Sequence, residues 1–222
     1  MKGIFHVHTK HSYDGVMNVS EIVQTFPEMD FIIITEHSET LNSNKYDILV
    51  KECKKENKKI IPGIEFNTDE GYHISGIFIK NYFKQTSAEQ TIKKIKEQGG
   101  ISILAHPAKY KEINFEKIKE VDFVEIWNRV YDGKYVLNPK NIELMKKLNA
   151  KPIVAIDFHK KNHKIDLYIL TEKNIKKSLK TGKYQLFKGN KKINNELNLF
   201  LKLKRLSYEI TKKKLLKFTK KI

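Results

Sequence analysis

Short apolar runs alternate along the chain with longer segments in which apolar residues recur at helical spacing. The short runs are rich in β-branched and aromatic residues and have the length of strands. They are Gly3–His8, Phe31–Thr35, Lys59–Phe66, His73–Ile79, Ile101–Ala105, Phe123–Trp127, Pro152–Asp157 and Asp166–Leu170. Helix-like patterns lie between them, near residues 18–27, 42–57, 86–98, 139–148 and 173–181. This alternation favours an α/β fold with a mainly parallel sheet.

Two regions depart from the alternation. Residues 59–79 contain two strand-like runs joined by a short turn at Asp69–Gly71, a pattern typical of a hairpin or of one elaborated strand. From about Asn194 to Lys221, apolar residues recur at helical spacing among many lysines; they are Leu199, Leu203, Leu206 and Ile210. We expect a helix that packs this stripe on the domain and leaves its lysines in solvent. The alternative partners of its basic faces are nucleic acid and an anionic membrane.

Composition places the chain among globular proteins. Its 222 residues are enough for one hydrophobic core, with 40% apolar and 31% charged residues. No run approaches the ~20 apolar residues of a transmembrane helix. The first residues are not expected to be a signal peptide, because His6 and His8 interrupt them. The single cysteine, Cys53, excludes an internal disulfide, and we expect an ordinary thiol on a helix surface. A cytoplasmic location is the simplest expectation.

The net charge of +17 is concentrated near the C-terminus. Residues 171–222 contain 17 Lys/Arg and three Glu, so the rest of the chain is close to neutral. Arg129 and Arg205 are the only arginines in the sequence. The composition therefore gives little support to dedicated phosphate forks, for which arginine is the better residue.

Nine side chains able to bind metals lie at the ends of predicted strands or in the loops that follow. They are His6, His8, Asp14, His37, Glu65, His73, His106, Asp157 and His159. Loops that follow the strands of a parallel α/β barrel converge on one face, so we expect these side chains to meet in one cleft. His6 and His8, two residues apart on one strand, should point to the same side.

The residue types indicate which ions would fit. Six histidines with three carboxylates favour two or three closely spaced zinc, manganese or iron ions. A structural zinc site is usually rich in cysteine. An HxH pair or an AHP tripeptide alone is more often structural, whereas nine candidates at strand ends are not what scattered core histidines produce. His11 and His163 fall outside this pattern, and we expect His163 to be solvated.

The order of the motifs HVH, SYDG, TEH, GIEF, YHI, AHP and IDFH resembles the polymerase-and-histidinol-phosphatase (PHP) superfamily of phosphoesterases. The resemblance runs from His6 to about Gly189. It implies a distorted (β/α)7 barrel over residues 1–189, with residues 190–222 as a basic, Lys-rich amphipathic helical extension packed on the same domain. Two positions depart from the family pattern. Ile4 stands where Asp is frequent, and TEH replaces the usual TDH, so the longer side chain of Glu36 can reorient His37.

The resemblance also implies a grouping of the ligands into three sites. The first ion would be held by His6, His8, Glu65 and Asp157. Glu65 would bridge to a second ion, held also by His73 and His106. The third would be held by Asp14, His37 and His159.

These residues predict a hydrolase that cleaves a phosphoester. A hydroxide bridging two ions is a nucleophile at neutral pH, because the metals lower the pKa of bound water. We expect a small phosphorylated substrate, in the first place a phosphomonoester, with His37, Glu65 and Asp157 as catalytic residues. Candidate contacts to the substrate phosphate lie in loops after strand ends; they are Arg129, Lys109 and Lys160.

Two other functions stay open. The basic tail favours a nuclease or phosphodiesterase acting on oligonucleotides or nucleotides. A non-catalytic metal-binding module is the third possibility, although such a module normally lacks some of the ligands. The sequence gives no indication of the oligomeric state.

Overall fold

Strands and helices alternate along most of the chain. The computed structural model describes the backbone of residues 1–219 and the side chains of residues 1–212. The strands are β1 Lys2–Val7, β2 Phe31–Ile34, β3 Glu36–His37, β4 Lys59–Ile61, β5 Gly63–Asn67, β6 His73–Ile77, β7 Ile101–Leu104, β8 Phe123–Asn128, β9 Lys151–Ala155, β10 Leu167–Thr171, β11 Tyr184–Lys188 and β12 Lys191–Lys192. The α-helices are α1 Val19–Thr25, α2 Ser43–Lys55, α3 Ala88–Glu97, α4 Phe115–Ile118, α5 Arg129–Asp132, α6 Pro139–Lys147, α7 Ile175–Thr181 and α8 Leu199–Thr219.

The strands form two six-stranded sheets of mixed direction. One has the order β12-β11-β10-β1-β2-β4 and the other β3-β5-β6-β7-β8-β9. Strands β1, β2 and β4 run parallel, as do β7, β8 and β9. Strand β6 is antiparallel to both of its neighbours, and β10 is antiparallel to β1 and β11. The prediction of a mainly parallel sheet is therefore wrong.

The turn between β5 and β6 explains part of this difference. Residues 68–72 close it with hydrogen bonds from the Thr68 N–H to the Tyr72 carbonyl and from the Gly71 N–H to the Thr68 carbonyl. A connection this short can join only antiparallel neighbours. Gly71 has φ +77°, a conformation that favours glycine. Of the two readings of residues 59–79, the hairpin is confirmed.

The two sheets meet beside the end of β1. The Phe158 N–H donates to the His6 carbonyl, and the His8 N–H donates to the Phe158 carbonyl. The Ile156 N–H donates to the Phe5 carbonyl in the same way. The segment that follows β9 thus pairs with β1, which places side chains from both sheets around one point.

Helices pack their apolar faces on the sheets. In α3, Ile92 and Ile95 are fully buried, and the Ser87 side chain caps the helix by accepting from the Gln90 N–H. In α1, Asn18 and Glu21 form a capping box. Strand β2 is apolar and buried along its length, as the continuous apolar run of the sequence predicts, and β8 is buried throughout although it contains Glu125 and Asn128.

Cys53 lies inside the protein and not on a helix surface. Its side chain is 3% exposed, and burial raises the pKa of its thiol to about 12. The expectation of a surface thiol is wrong because Cys53 follows Tyr46 and Leu49 at seven and four residues. All three therefore share the inner face of α2, whereas the surrounding lysines occupy the outer face.

The face that α8 turns to the domain is not the one expected. Leu199, Leu203, Leu206 and Ile210 are 72%, 55%, 55% and 47% exposed, so the packing predicted for this stripe is wrong. Contacts come instead from a different face, where Arg205 donates to the carbonyls of Asp132 and Val136. The last residues of the predicted segment, 220 and 221, lie outside the described residues. Within residues 1–219, no helix combines the length and apolarity needed to cross a bilayer.

Candidate metal centre

Three of the predicted ligands have backbone conformations that are rare for residues with a side chain. His6, His106 and Asp157 have φ values of +69°, +31° and +47°. At His6 the β1–β2 pairing is irregular, since its register shifts between Phe5 and Val7. Left-handed conformations outside glycine cost about 1–3 kcal/mol each and cluster at functional sites. These three unfavourable conformations occur where the backbone directs the side chains into one cluster.

Glu65 stands at the centre of that cluster. Its Oε1 atom lies 2.9 Å from His106 Nε2, 3.0 Å from His73 Nδ1 and 3.5 Å from His6 Nε2. Its Oε2 atom lies 3.1 Å from His37 Nδ1 and 3.6 Å from His8 Nε2. A single carboxylate thus faces five imidazoles, which is the arrangement expected of a bridging ligand.

The remaining ligands extend the cluster outward. Asp157 Oδ1 lies 3.7 Å from His6 Nε2 and 3.5 Å from His159 Nδ1. Asp14 reaches His37 Nε2 at 3.3 Å through one oxygen, and His159 Nε2 at 2.9 Å through the other. The structure therefore brings all nine predicted ligands together.

The ligand atoms fall into four overlapping groups, in each of which they lie within 4.8 Å of one another. The groups are His6–His8–Asp157, His6–Glu65–His106, His37–Glu65–His73 and His8–Asp14–His37–His159. They differ in part from the grouping that the resemblance implies, because His8 also belongs with Asp14, and His37 also belongs with Glu65. Shared residues of this kind indicate adjacent sites.

The electrostatic state of the cluster suits cation binding. Burial raises the pKa of Glu65, but His6, His106 and His37 outweigh it and hold that pKa well below its usual value. Burial and then the neighbouring His6 lower the pKa of His8 well below its usual value. Burial also lowers the pKa of His6, yet Glu125, Glu65 and Asp157 together raise it well above its usual value. The carboxylates thus favour a positive charge at this position, and a bound cation would supply it in place of the proton on His6. A carboxylate and a neutral imidazole at positions 65 and 8 are the forms that bind metals.

Unpaired buried atoms test whether a metal fits these residues. The Nε2 atoms of His6 and His8 and the Nδ1 atom of His106 are buried without a hydrogen-bond partner among the described residues. An unpaired buried polar atom is costly, and folded proteins contain few of them. A divalent cation would satisfy the two Nε2 atoms, which point to carboxylate oxygens of Glu65 and Asp157. The residues present therefore fit a metal centre.

Sequence reasoning missed Glu125, a buried carboxylate next to the ligands. Its Oε1 atom accepts from His6 Nδ1 at 2.6 Å, and its Oε2 atom accepts from the His106 N–H and from Asn128 Nδ2. One acidic side chain thus contacts two ligands from distant segments, the ring of His6 on β1 and the backbone of His106 after β7. The available signal was a glutamate in the middle of the apolar run FVEIW, where no solvent-facing position is expected.

Glu36 also positions the ligands, but indirectly, as a hydrogen-bond acceptor for neighbouring residues. It accepts from the N–H and the hydroxyl of Thr9 and from the Ser12 hydroxyl. The same Ser12 oxygen accepts from the His37 N–H and lies 3.2 Å from His8 Nδ1. Glu36 therefore acts on His37 through Ser12, not by direct contact of the two side chains.

The three candidate phosphate contacts have different surroundings. Lys109 lies at the cluster, with its Nζ atom 2.8 Å from His73 Nε2. Arg129 donates through Nε to the Ile156 carbonyl and through Nη2 to the Asp157 carbonyl, so it holds the backbone beside a ligand. Lys160 is exposed directly after His159.

Two tyrosines and two histidines complete the surroundings. Tyr13 stacks on His37 with ring centroids 4.6 Å apart, and Tyr131 lies 4.8 Å from His106. His11 pairs with Glu52 at 2.8 Å and, within residues 1–212, forms no hydrogen bond or ion pair with the nine ligands. His163 is half-buried, and its Nδ1 accepts from the His159 N–H, so the prediction of a solvated side chain is wrong.

Comparisons with known proteins identify a family and a relative of this chain. The family profile described as PHP domain matches residues 5–202. An uncharacterized protein of Methanocaldococcus jannaschii is 31% identical over 170 residues, which are 68% of this chain and 95% of that protein.

Two solved structures share the fold. A candidate metal-dependent phosphoesterase from Bifidobacterium adolescentis has a TM-score of 0.53 at 13% identity, covering 72% of this chain and 88% of its own. The lesion-specific endonuclease PfuEndoQ from Pyrococcus furiosus has a TM-score of 0.59 at 13% identity, covering 81% of this chain and 56% of its own. At this identity the likeness concerns the fold alone.

Proposed function

This chain belongs to the PHP domain family, and from that premise we propose that it is a metal-dependent hydrolase that cleaves a phosphomonoester. The observation that carries the proposal is the convergence of nine ligands on Glu65, a buried carboxylate that faces five imidazoles. A non-catalytic module is disfavoured because none of the nine ligands is missing.

The proposed centre holds two or three divalent ions, with zinc, manganese and iron as candidates. The first ion would take His6, His8, Glu65 and Asp157 as ligands. The second would take Glu65, His73 and His106, and the third Asp14, His37 and His159. When bound, such ions lower the pKa of a coordinated water and neutralise the phosphoryl oxygens.

The chain's own groups would position the ester. Lys109 carries a positive charge beside His73, where a phosphoryl oxygen would meet it. Arg129 fixes the backbone at Asp157, so its role is positioning, with one end of its guanidinium left for a phosphate. Lys160 is the outermost candidate. Among the proposed catalytic residues, Glu65 contacts five histidines. His37 and Asp157 each lie in a group of ligand atoms that shares a residue with another such group.

We also propose how the chain is divided between a barrel and an extension. Residues 1–189 form a distorted (β/α)7 barrel, and residues 190–222 form an extension packed on it. The backbone hydrogen bonds between β1 and the segment after β9 support the barrel, because they join the two sheets. The contacts of Arg205 with the Asp132 and Val136 carbonyls support the packing of the extension.

The test is hydrolysis of a generic aryl phosphate by the purified protein with Mn²⁺, Zn²⁺ or Fe²⁺. We expect turnover, and we expect the His8→Ala/Asp157→Ala double variant to lose it. His11→Ala is the matched control, since His11 pairs with Glu52 and is not a proposed ligand. Absence of hydrolysis of mono- and diesters with all three metals would contradict the proposal.

A nuclease is the second candidate, favoured by the basic C-terminal quarter of the chain. Lys204 and Lys212 are exposed on α8. If α8 holds a phosphate backbone, Lys204→Glu/Lys212→Glu should weaken the binding of short single strands and reduce its salt dependence. Lys54→Glu/Lys55→Glu on α2 makes the same charge change at exposed lysines elsewhere. Equal effects of the two double variants would indicate non-specific attraction only.

A further inference from the structure

Helix α8 carries a row of exposed aliphatic side chains on the side that faces away from the domain. Leu199, Leu203, Leu206 and Ile210 form this aliphatic ridge. We propose that the ridge and the lysines around it bind the surface of an anionic lipid bilayer. This binding is independent of the proposed hydrolysis at the candidate metal centre.

The aliphatic ridge is continuous along the helix. An α-helix turns by about 100° per residue, so the four side chains lie within about 60° of one another over about 17 Å of helix. Phe200, which is 73% exposed, widens the ridge at its N-terminal end. A contiguous exposed apolar surface with polar residues at its edges marks a site of interaction with a protein or a membrane.

The domain holds α8 from the other side. Leu201 packs against the hydrophobic core. Arg205 donates to the carbonyls of Asp132 and Val136. At about 100° per residue, Leu201 and Arg205 both lie across the helix from the ridge. The domain therefore anchors α8 and leaves the ridge exposed, so a surface that bound the ridge would hold the whole domain in place.

The charge of α8 complements an anionic surface. Residues 199–219 contain seven Lys/Arg and one acidic residue, Glu209, whose carboxylate is paired with Arg205 at 2.8 Å. Among the described side chains, Lys204 and Lys212 are exposed and form no ion pair. A lysine side chain can lie along an apolar surface with its ammonium group in water, where anionic headgroups attract it.

Two other occupants would match only part of this surface. A nucleic acid would attract the lysines through its phosphates, but it would leave the aliphatic side chains without an apolar partner. A second copy of the chain could cover the ridge, but it would bring another helix of the same charge, in a chain whose net charge is +17. An anionic bilayer offers both negative headgroups and an acyl boundary, into which an apolar helix face enters by about 5–10 Å.

Sedimentation with lipid vesicles tests the role of the ridge. We expect the wild type to bind vesicles of phosphatidylserine and phosphatidylcholine in equal parts about tenfold or more tightly than vesicles of phosphatidylcholine alone. Leu203→Ser/Leu206→Ser should weaken binding to the mixed vesicles by about tenfold or more, because it removes the apolar centre of the ridge. Ile48→Ser, at an exposed aliphatic residue of α2, is the matched control and should bind as the wild type does.

Charge reversal tests the lysines separately. Lys204→Glu/Lys212→Glu should reduce the preference for the mixed vesicles over the neutral ones. Lys54→Glu/Lys55→Glu makes the same charge change on α2 and should keep most of that preference. The substituted side chains are exposed, so an unchanged thermal unfolding midpoint would verify that each variant is folded.

Three results would overturn the proposal. Absence of vesicle binding, or equal binding of mixed vesicles by the wild type and the leucine variant, would show that the ridge contacts no bilayer. A wild-type dimer in sedimentation equilibrium that the leucine variant dissociates would assign the ridge to a second copy. If the leucine variant lost the binding of a single-stranded oligonucleotide as strongly as that of vesicles, α8 would be a nucleic-acid surface.

Discussion

Two buried glutamates order the candidate metal centre at the scale of single residues. Glu65 contacts the imidazoles directly, and Glu125 holds two of the same histidines from behind. A histidine that binds a metal through one nitrogen needs a partner for the other, which fixes the ring and raises its basicity. His6 has that partner in Glu125, because Nδ1 is engaged and Nε2 points to the cluster.

Glu125→Gln tests this role. Glutamine retains the shape and an acceptor oxygen but removes the charge, so we expect the affinity for the first divalent ion to fall by about tenfold or more. The measurement is competition for Zn²⁺ against a chelating dye, with the thermal unfolding midpoint in chelator as a check on folding. Glu116→Gln, at an exposed glutamate paired with Lys119, is the matched control. Equal affinities for the two variants would show that Glu125 is structural.

Asp132 predicts a pH dependence of stability. It is fully buried and accepts from Asn138 Nδ2, Asn141 Nδ2 and the Asn128 N–H. Burial outweighs these donors and raises its pKa from 3.8 to about 6. The folded protein therefore binds this proton more tightly than the unfolded chain does. The stability contributed by the protonated group is full below pH 4 and is lost as the pH rises through 6.

The Asp132→Asn variant isolates this effect because asparagine does not titrate. Between pH 4 and 7.5, the free energy of unfolding of the wild type should fall relative to that of the variant by about 2 kcal/mol. Urea unfolding of both proteins in chelator at the two pH values measures the difference. A difference that stays constant with pH would show that the carboxylate is ionised throughout.

The nine proposed ligands could be predicted from the sequence because most of them lie near a strand end or in the loop that follows it, which is a local property. Glu125 and Arg129 could not be assigned in this way. The partner of Glu125, His6, is 119 positions away, and the carbonyls that receive the Arg129 guanidinium are 27 and 28 positions away. Such contacts depend on the path of the chain between them.

At the scale of elements, long apolar runs were predictable and short or interrupted ones were not. The run Lys59–Phe66 is two strands, β4 and β5, separated by Pro62, which has no N–H for pairing. The two-residue strand β3 is too short to show a periodicity. In β11 and β12, only Leu186 is fully buried, so the alternation that marks a strand is weak.

Helix α8 shows where periodicity fails to identify the buried face. The helix has apolar residues on more than one face, and anchoring by Arg205 leaves the more regular stripe outside. We expect Leu203→Ala to change the free energy of unfolding by less than about 0.5 kcal/mol, as for most surface positions. Leu201→Ala, at a partly buried leucine packed against the core, should be clearly more destabilising. Urea unfolding compares the two, and equal losses would place the stripe in a buried interface.

At the scale of the whole molecule, the candidate metal centre joins the two sheets. His6 lies on β1 of one sheet, whereas His37, Glu65 and His73 lie on β3, β5 and β6 of the other. Ions held between them would connect segments far apart in the sequence. In the absence of cations, the same place contains a dense set of buried imidazoles and carboxylates with unpaired atoms. Because the cations would bind only the folded state, their binding would raise the free energy of unfolding of the whole chain.

This coupling predicts that divalent ions raise the thermal unfolding midpoint. At a free metal concentration 100 times the Kd of one site, the stabilisation is about 2.7 kcal/mol. For a chain of this length, each kcal/mol corresponds to a shift of roughly 2–4 °C. We expect scanning calorimetry to show this increase with Mn²⁺ or Zn²⁺ and its reversal by chelator. The increase should be lost in His8→Ala/Asp157→Ala and kept in His11→Ala. If no divalent ion changes the unfolding midpoint of the wild type, the nine side chains hold no metal. The buried cluster is then maintained by its own hydrogen bonds.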